Sequence, residues 1–157
     1  MTTYDLTPNG GTAGHPSNVA RPYVMTSKVH DTADGGAGGD VVQLIDVPAD
    51  TMIVSGVLEV LEARGNGQIT LDVGITGGDV DCFVDGSVCA AGFTPFLEAA
   101  VGASGANARV LTSADTIDAL ILDGGSSGES ALRFRIHVVL ADISKNPVET
   151  ATVSTGT

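Results

Sequence analysis

Residues 131–143 read ALRFRIHVVLADI, with Leu132, Phe134, Ile136, Val138 and Leu140 alternating against Arg133, Arg135, His137 and Val139. Successive side chains leave a strand on opposite sides, so a two-residue rhythm of this kind predicts a β-strand with one face buried. QITLDVGI (68–75) repeats the rhythm, with Ile69, Leu71, Val73 and Ile75 on one face and Thr70, Asp72 and Gly74 on the other. These two stretches point to an all-β chain.

The neighbouring segments agree. TMIVSGVLEVLEA (51–63) sets Val57, Glu59 and Leu61 against Leu58, Val60 and Glu62. A helix over 56–63 is the competing reading, but Gly56 and the β-branched residues favour one long strand. VVQLIDV (41–47) is a strand stopped by Pro48-Ala49-Asp50, and PYVMTSKVH (22–30) reads as an earlier one. Residues 109–111 and 115–122 add two more, and Gly65-Asn66-Gly67 is a hairpin signal. FLEAAV, within 92–105, reads as a single helical turn or an irregular excursion. Strands separated by turn residues, with no long helical pattern and no internal repeat, predict an antiparallel β-sandwich or jelly roll. Residues 1–21, rich in Thr, Asn, Gly and Pro, read as an irregular N-terminal arm; 22–143 form the sandwich, and 144–157 a polar extended tail.

Composition narrows the function. The chain has 157 residues, enough for one domain with a sizeable core, and 43% of them are apolar with a mean hydropathy of +0.26. Seven Lys and Arg stand against nineteen Asp and Glu, a formal charge of −12. Phosphate backbones and anionic lipid surfaces repel such a chain, so no nucleic-acid or membrane partner is expected. No apolar run reaches the length of a membrane span, and MTTYDLTPNGG lacks the basic and apolar regions of a secretory signal.

Little in the sequence suggests catalysis. DVDCFVDG (79–86) resembles a calcium loop at Asp79 and Asp81, but Phe83, Val84 and Ala90 occupy positions that need an oxygen, a glycine and a glutamate. The alternative is an exposed strand face, with Asp79, Asp81, Phe83 and Asp85 on one side and Val80, Cys82 and Val84 on the other. A looser calcium site of Asp79, Asp81 and Asp85 is the minority reading. Cys82 and Cys89 read as buried thiols, with a bridge across the intervening turn as the other reading. His15, His30 and His137 read as surface or interface residues. No nucleophile signature or phosphate loop is present, and a chain without Trp and with two Tyr is poorly equipped to bind sugars. No enzyme activity and no cofactor are expected. Arg133 and Arg135, flanking Phe134, are the densest basic spot; they read either as a solvated strand face or as a subunit contact.

The segments YDLTPNGGTAGHPSNVARPY, VVQLIDVPADTMIVSGVLEVLEA and DVDCFVDG together resemble small virion structural proteins of marine tailed phages, including cyanophages. The resemblance implies a capsid decoration or cement protein on the outer surface of the head, a homotrimer whose partner is the major capsid protein. The arm would then supply contacts, with Thr7, Pro8, Asn9, His15, Pro16, Arg21 and Tyr23 as interface candidates beside Arg133 and Arg135. The alternatives are a tail- or fibre-associated adhesion module that binds a host surface polymer, and a calcium-dependent binding domain.

Overall fold

The computed structural model describes residues 22–32, 38–63, 69–75, 77–88, 90–97, 109–122 and 132–143. They form ten strands: β1 (Pro22–Thr26), β2 (His30–Asp31), β3 (Val41–Val47), β4 (Thr51–Glu62), β5 (Thr70–Ile75), β6 (Val84–Val88), β7 (Gly92–Pro95), β8 (Val110–Leu111), β9 (Asp115–Ile121) and β10 (Arg133–Asp142). Every pairing is antiparallel. One sheet has the order β1-β10-β4-β7, with β2 added on β10 and β8 on β4; the other has the order β3-β9-β5-β6. This is the antiparallel β-sandwich expected from the alternation.

One apolar cluster lies between the sheets. Ile53, Leu58, Val60, Phe134, Ile136, Val138 and Leu140 come from the six-stranded sheet, and Ile45, Val47, Leu71, Val73, Ile117 and Ile121 from the four-stranded one. β10 buries Phe134, Ile136, Val138 and Leu140 and turns Arg133, Arg135, His137 and Val139 outward.

β4 departs from simple alternation because it carries two extra residues against β10, one between the pairs Val139↔Ser55 and Leu140↔Ile53 and one between Arg133↔Glu62 and Phe134↔Val60. The extra residues, Val54 and Leu61, are both exposed. A bulge of this kind shifts the face on which later residues lie. Ile53 points inward before the first bulge; Gly56, Leu58 and Val60 follow in the other phase. A Cβ on Gly56 would run into the Phe96 ring, which lies over this glycine and stacks on Phe83 at 4.9 Å with 11° between planes. Phe96 N–H also donates to the Gly56 carbonyl at 3.0 Å.

Two expectations need correction. The 22–30 segment is broken, since Ser27–Val29 leave the strand geometry between β1 and β2. There, Ser27 Oγ accepts from Ile136 N–H while Ser27 N–H donates to the Ile136 carbonyl, both at 3.0 Å. The Gly65-Asn66-Gly67 signal does not join hairpin partners, for β4 and β5 belong to different sheets. β10 and β7 already occupy both edges of β4, so the chain crosses to the other sheet. β7 (Gly92–Pro95) was not anticipated; of FLEAAV, Phe96 and Leu97 have no regular structure and the rest lies outside the described residues.

Candidate functional site

The Asp-rich segment is a loop and not a strand face. Strand structure begins only at Val84, and Asp79 to Phe83 lie in turns. Ile75 N–H donates to the Asp79 carbonyl at 2.9 Å, and Phe83 N–H to the Val73 carbonyl at 2.9 Å. The loop backbone at Asp79 and Val80 lies directly over Gly74, where no Cβ would fit. Phe83 therefore enters the core fully buried, while Val80, assigned to the buried side by alternation, is exposed. Gly86, at φ +57°, occupies an irregularity opposite β5, and its N–H donates to the buried Asp72 carboxylate at 2.6 Å. Among the described residues, no three His, Cys, Asp or Glu side chains come together to hold a metal ion. The contact between Asp79 and Asp81 instead raises the Asp81 carboxyl above its ordinary value. Cys82 is a buried free thiol, pushed up to about 12 chiefly by burial; Cys89 lies outside the described residues.

The outer face of the six-stranded sheet collects the polar side chains of β10. Arg135 Nε donates to Glu59 Oε2 at 2.5 Å, and His137 Nε2 lies 2.8 Å from the same oxygen. A carboxylate only accepts, so a neutral His137 carries its proton on Nε2 and accepts at Nδ1 from the Thr26 hydroxyl, 2.9 Å away. The Arg135 hydrogen bond, then that of His137, hold the Glu59 carboxyl below its usual range. Arg133 lies 3.7 Å from Asp31 and 4.0 Å from Glu62; these are exposed pairs of small energetic weight.

Apolar groups flank the network. Val24, opposite Val139 across β1 and β10, is 70% exposed, and Phe93, opposite Glu59 across β4 and β7, is 68% exposed. The face thus runs from Val24 at one edge of the sheet to Phe93 at the other. Arg109 braces the β4 bulge near this edge, donating to the carbonyls of Val54 at 3.0 Å and Leu97. Of the predicted interface residues, Arg133 and Arg135 fall on this face, and Tyr23 is half-exposed on edge strand β1. Thr7, Pro8, Asn9, His15, Pro16 and Arg21 lie outside the described residues, as does the tail. Glu59, Thr26 and Phe93 were not anticipated. Glu59 had one visible signal, an acid between the buried Leu58 and Val60, but its pairing with β10 spans 76 residues of sequence.

The fold is similar to that of chains in three solved phage assemblies. One is in the capsid asymmetric unit of cyanophage Pam1, 14% identical, with a TM-score of 0.61 over 88% of this chain and 96% of that one. A second, in the capsid of Ralstonia phage GP4, is 17% identical, with a TM-score of 0.55 over 86% and 93%. A third, in the acidic stable capsid of Helicobacter pylori bacteriophage KHP30, is 12% identical, with a TM-score of 0.54 over 80% and 95%. No protein-family model and no curated protein matches the sequence.

Proposed function

We propose that this chain is a phage virion component that decorates the head, binding the major capsid protein from outside and acting by contact without catalysis. The observation that carries the reading is the near-complete overlap, in both directions, with a chain of the cyanophage capsid asymmetric unit (88% and 96%). A match to 96% of that chain supports a small capsid component over a domain of a larger shell subunit, which would leave much of its own chain unmatched. The charge supports an outer position: at −12, the chain is repelled by DNA packaged within a head. Decoration by many copies, as trimers in this reading, stabilises a shell through binding free energy spread over repeated contacts.

The test is to mix purified protein with undecorated heads and count bound copies, then to repeat it with residues 1–20 deleted. Saturable binding in many copies per head, with more heat needed to release DNA, is the expected result. A few copies confined to the tail would favour the adhesion module, and no binding to either would remove both readings. Undiminished occupancy by the truncated chain would discard the arm's role.

A further inference from the structure

Three side chains on the outer face of the six-stranded sheet form a line of hydrogen bonds across β1, β10 and β4. The Thr26 hydroxyl lies 2.9 Å from His137 Nδ1, and His137 Nε2 lies 2.8 Å from Glu59 Oε2. Strand register places all three: Thr26 is the cross-strand partner of His137, and Glu59, the partner of Arg135, lies diagonally from it on the same face. A hydroxyl, an imidazole and a carboxylate in this order are the parts of an activated nucleophile, in which the base takes the hydroxyl proton and the carboxylate orients the base. The neutral tautomer set by Glu59 turns the Nδ1 lone pair toward the hydroxyl, as a base requires. Arg135 holds the same Glu59 oxygen, and its hydrogen bond, then that of His137, keep the carboxyl below its usual range and ionised at neutral pH.

We propose that Thr26 is an activated hydroxyl, a modification site that takes one acyl group from an activated ester or thioester. Thr26 Oγ1 attacks the acyl carbon while His137 Nδ1 removes its proton. A C–O bond to Thr26 forms, the bond from the acyl carbon to the leaving oxygen or sulfur breaks, and His137 returns the proton to the leaving group. Nothing is oxidised or reduced, and Glu59 acts only through His137, as a positioning residue. Access comes from the edge of the sheet, where β1 is the outermost strand and Thr26 is exposed. Ser27 N–H donates inward to the Ile136 carbonyl, so the Thr26 N–H, one residue earlier, points off the edge beside its own hydroxyl. A carbonyl approaching Oγ1 from that side meets this donor as its oxygen gains charge. An exposed edge has no walls to select a substrate, so the acyl donor is defined by its leaving group, and the product is a Thr26 ester.

The inference goes beyond the capsid reading, since it concerns a single modification and no turnover, and it is tested on the free chain. The full-length protein is treated with p-nitrophenyl acetate at neutral pH, and acetyl groups are located over time by fragment-ion mass spectrometry. The chains compared are wild type, Thr26→Ser, Thr26→Val, His137→Gln and Glu59→Gln, each confirmed as folded by circular dichroism. Lys28, exposed two residues from Thr26, reacts through its own amine and is the internal control. Gln at position 137 keeps a polar side chain there without a base. The expected result is acetylation of Thr26 to one group per chain, ahead of Lys28, retained in Thr26→Ser and lost in Thr26→Val. It should slow by about 100-fold in His137→Gln and by less in Glu59→Gln, with Lys28 labelling unchanged. A Thr26 that takes no acetyl group while Lys28 does overturns the proposal. So does Thr26 labelling unaltered in His137→Gln, or a fall at Lys28 that matches the fall at Thr26. Head binding by an unreactive chain would leave the capsid reading standing while this one fell.

Discussion

Glu59 and His137 face each other across β4 and β10 with Oε2 and Nε2 2.8 Å apart, and Arg135 donates to the same oxygen at 2.5 Å. Two donors converge on one carboxylate oxygen whose side chain is 14% exposed. Glu59→Gln removes the charge that both donors require, so its melting temperature should fall by a few degrees at neutral pH. The dependence on pH has a definite sign. The Glu59 carboxyl titrates below its ordinary 4.5 in the folded chain, so its contribution is complete above that value and disappears as pH falls through the lower, folded one. The melting difference between wild type and Glu59→Gln should persist at neutral pH and close only below about 4.5. A difference that persists unchanged well below that range would remove the carboxylate from the explanation.

Gly56 and Phe96 test the packing of the core. A methyl group on Gly56 collides with a ring held by its stack on Phe83 and by the backbone bond from Phe96 N–H to the Gly56 carbonyl. Gly56→Ala should destabilise the fold by about 1–3 kcal/mol in denaturant unfolding, the usual range for overpacking. Phe96→Leu frees space at the same point, so the double variant should be more stable than the sum of the two single losses. Strict additivity would show that the two residues do not compete for that space.

The architecture was legible wherever alternation runs without interruption, as in β10 and in β5, although in β5 Asp72 and Gly74 on the opposite face are buried as well. It was less legible where a bulge or a loop changes the phase. β4 was found, but Leu61, displaced by its second bulge, sits beside Glu62 in solvent, where alternation placed them on opposite faces. Phe83 and Val84 are adjacent and both buried, which period two forbids on a strand and a loop closing over Gly74 permits. Strand partners were illegible for a different reason. Nothing local to Glu59 indicates Arg135 and His137, and the same gap hid the exposed apolar border that Phe93 gives the face.

The paired carboxylates of the 77–83 loop yield a prediction of opposite sign. The Asp81 carboxyl is raised, first by its hydrogen bond with Asp79, then by partial desolvation and the Asp79 charge. A carboxyl raised on folding favours the native state below its unfolded value and ceases to do so as pH rises through the folded one. Near neutral pH the two charges therefore oppose folding, and Asp81→Asn should raise the melting temperature by about 1–3 °C there. The advantage should shrink as pH falls toward 4 and Asp81 takes up its proton. A lower melting temperature for the variant at pH 7 would mean that the charge of Asp81 supports the loop.

Cys82 gives the last test, of the loop's closure over the core. Its thiol is buried and lifted to about 12 by desolvation and by the nearby Asp79 and Asp81 charges. The thiolate is the reactive species, so at pH 8 the native thiol is both almost wholly protonated and inaccessible. In a Cys89→Ser chain, which leaves Cys82 as the single cysteine, a disulfide reagent should label the folded protein only at the rate at which the loop opens. Labelling should become rapid once denaturant unfolds the chain, with the ordinary thiol value restored. Where the loop opens and closes faster than the reagent reacts, the ratio of the folded to the unfolded labelling rate gives the free energy of local opening. Rapid labelling of the folded chain at pH 8 would mean that the backbone seated on Gly74 does not close over Cys82.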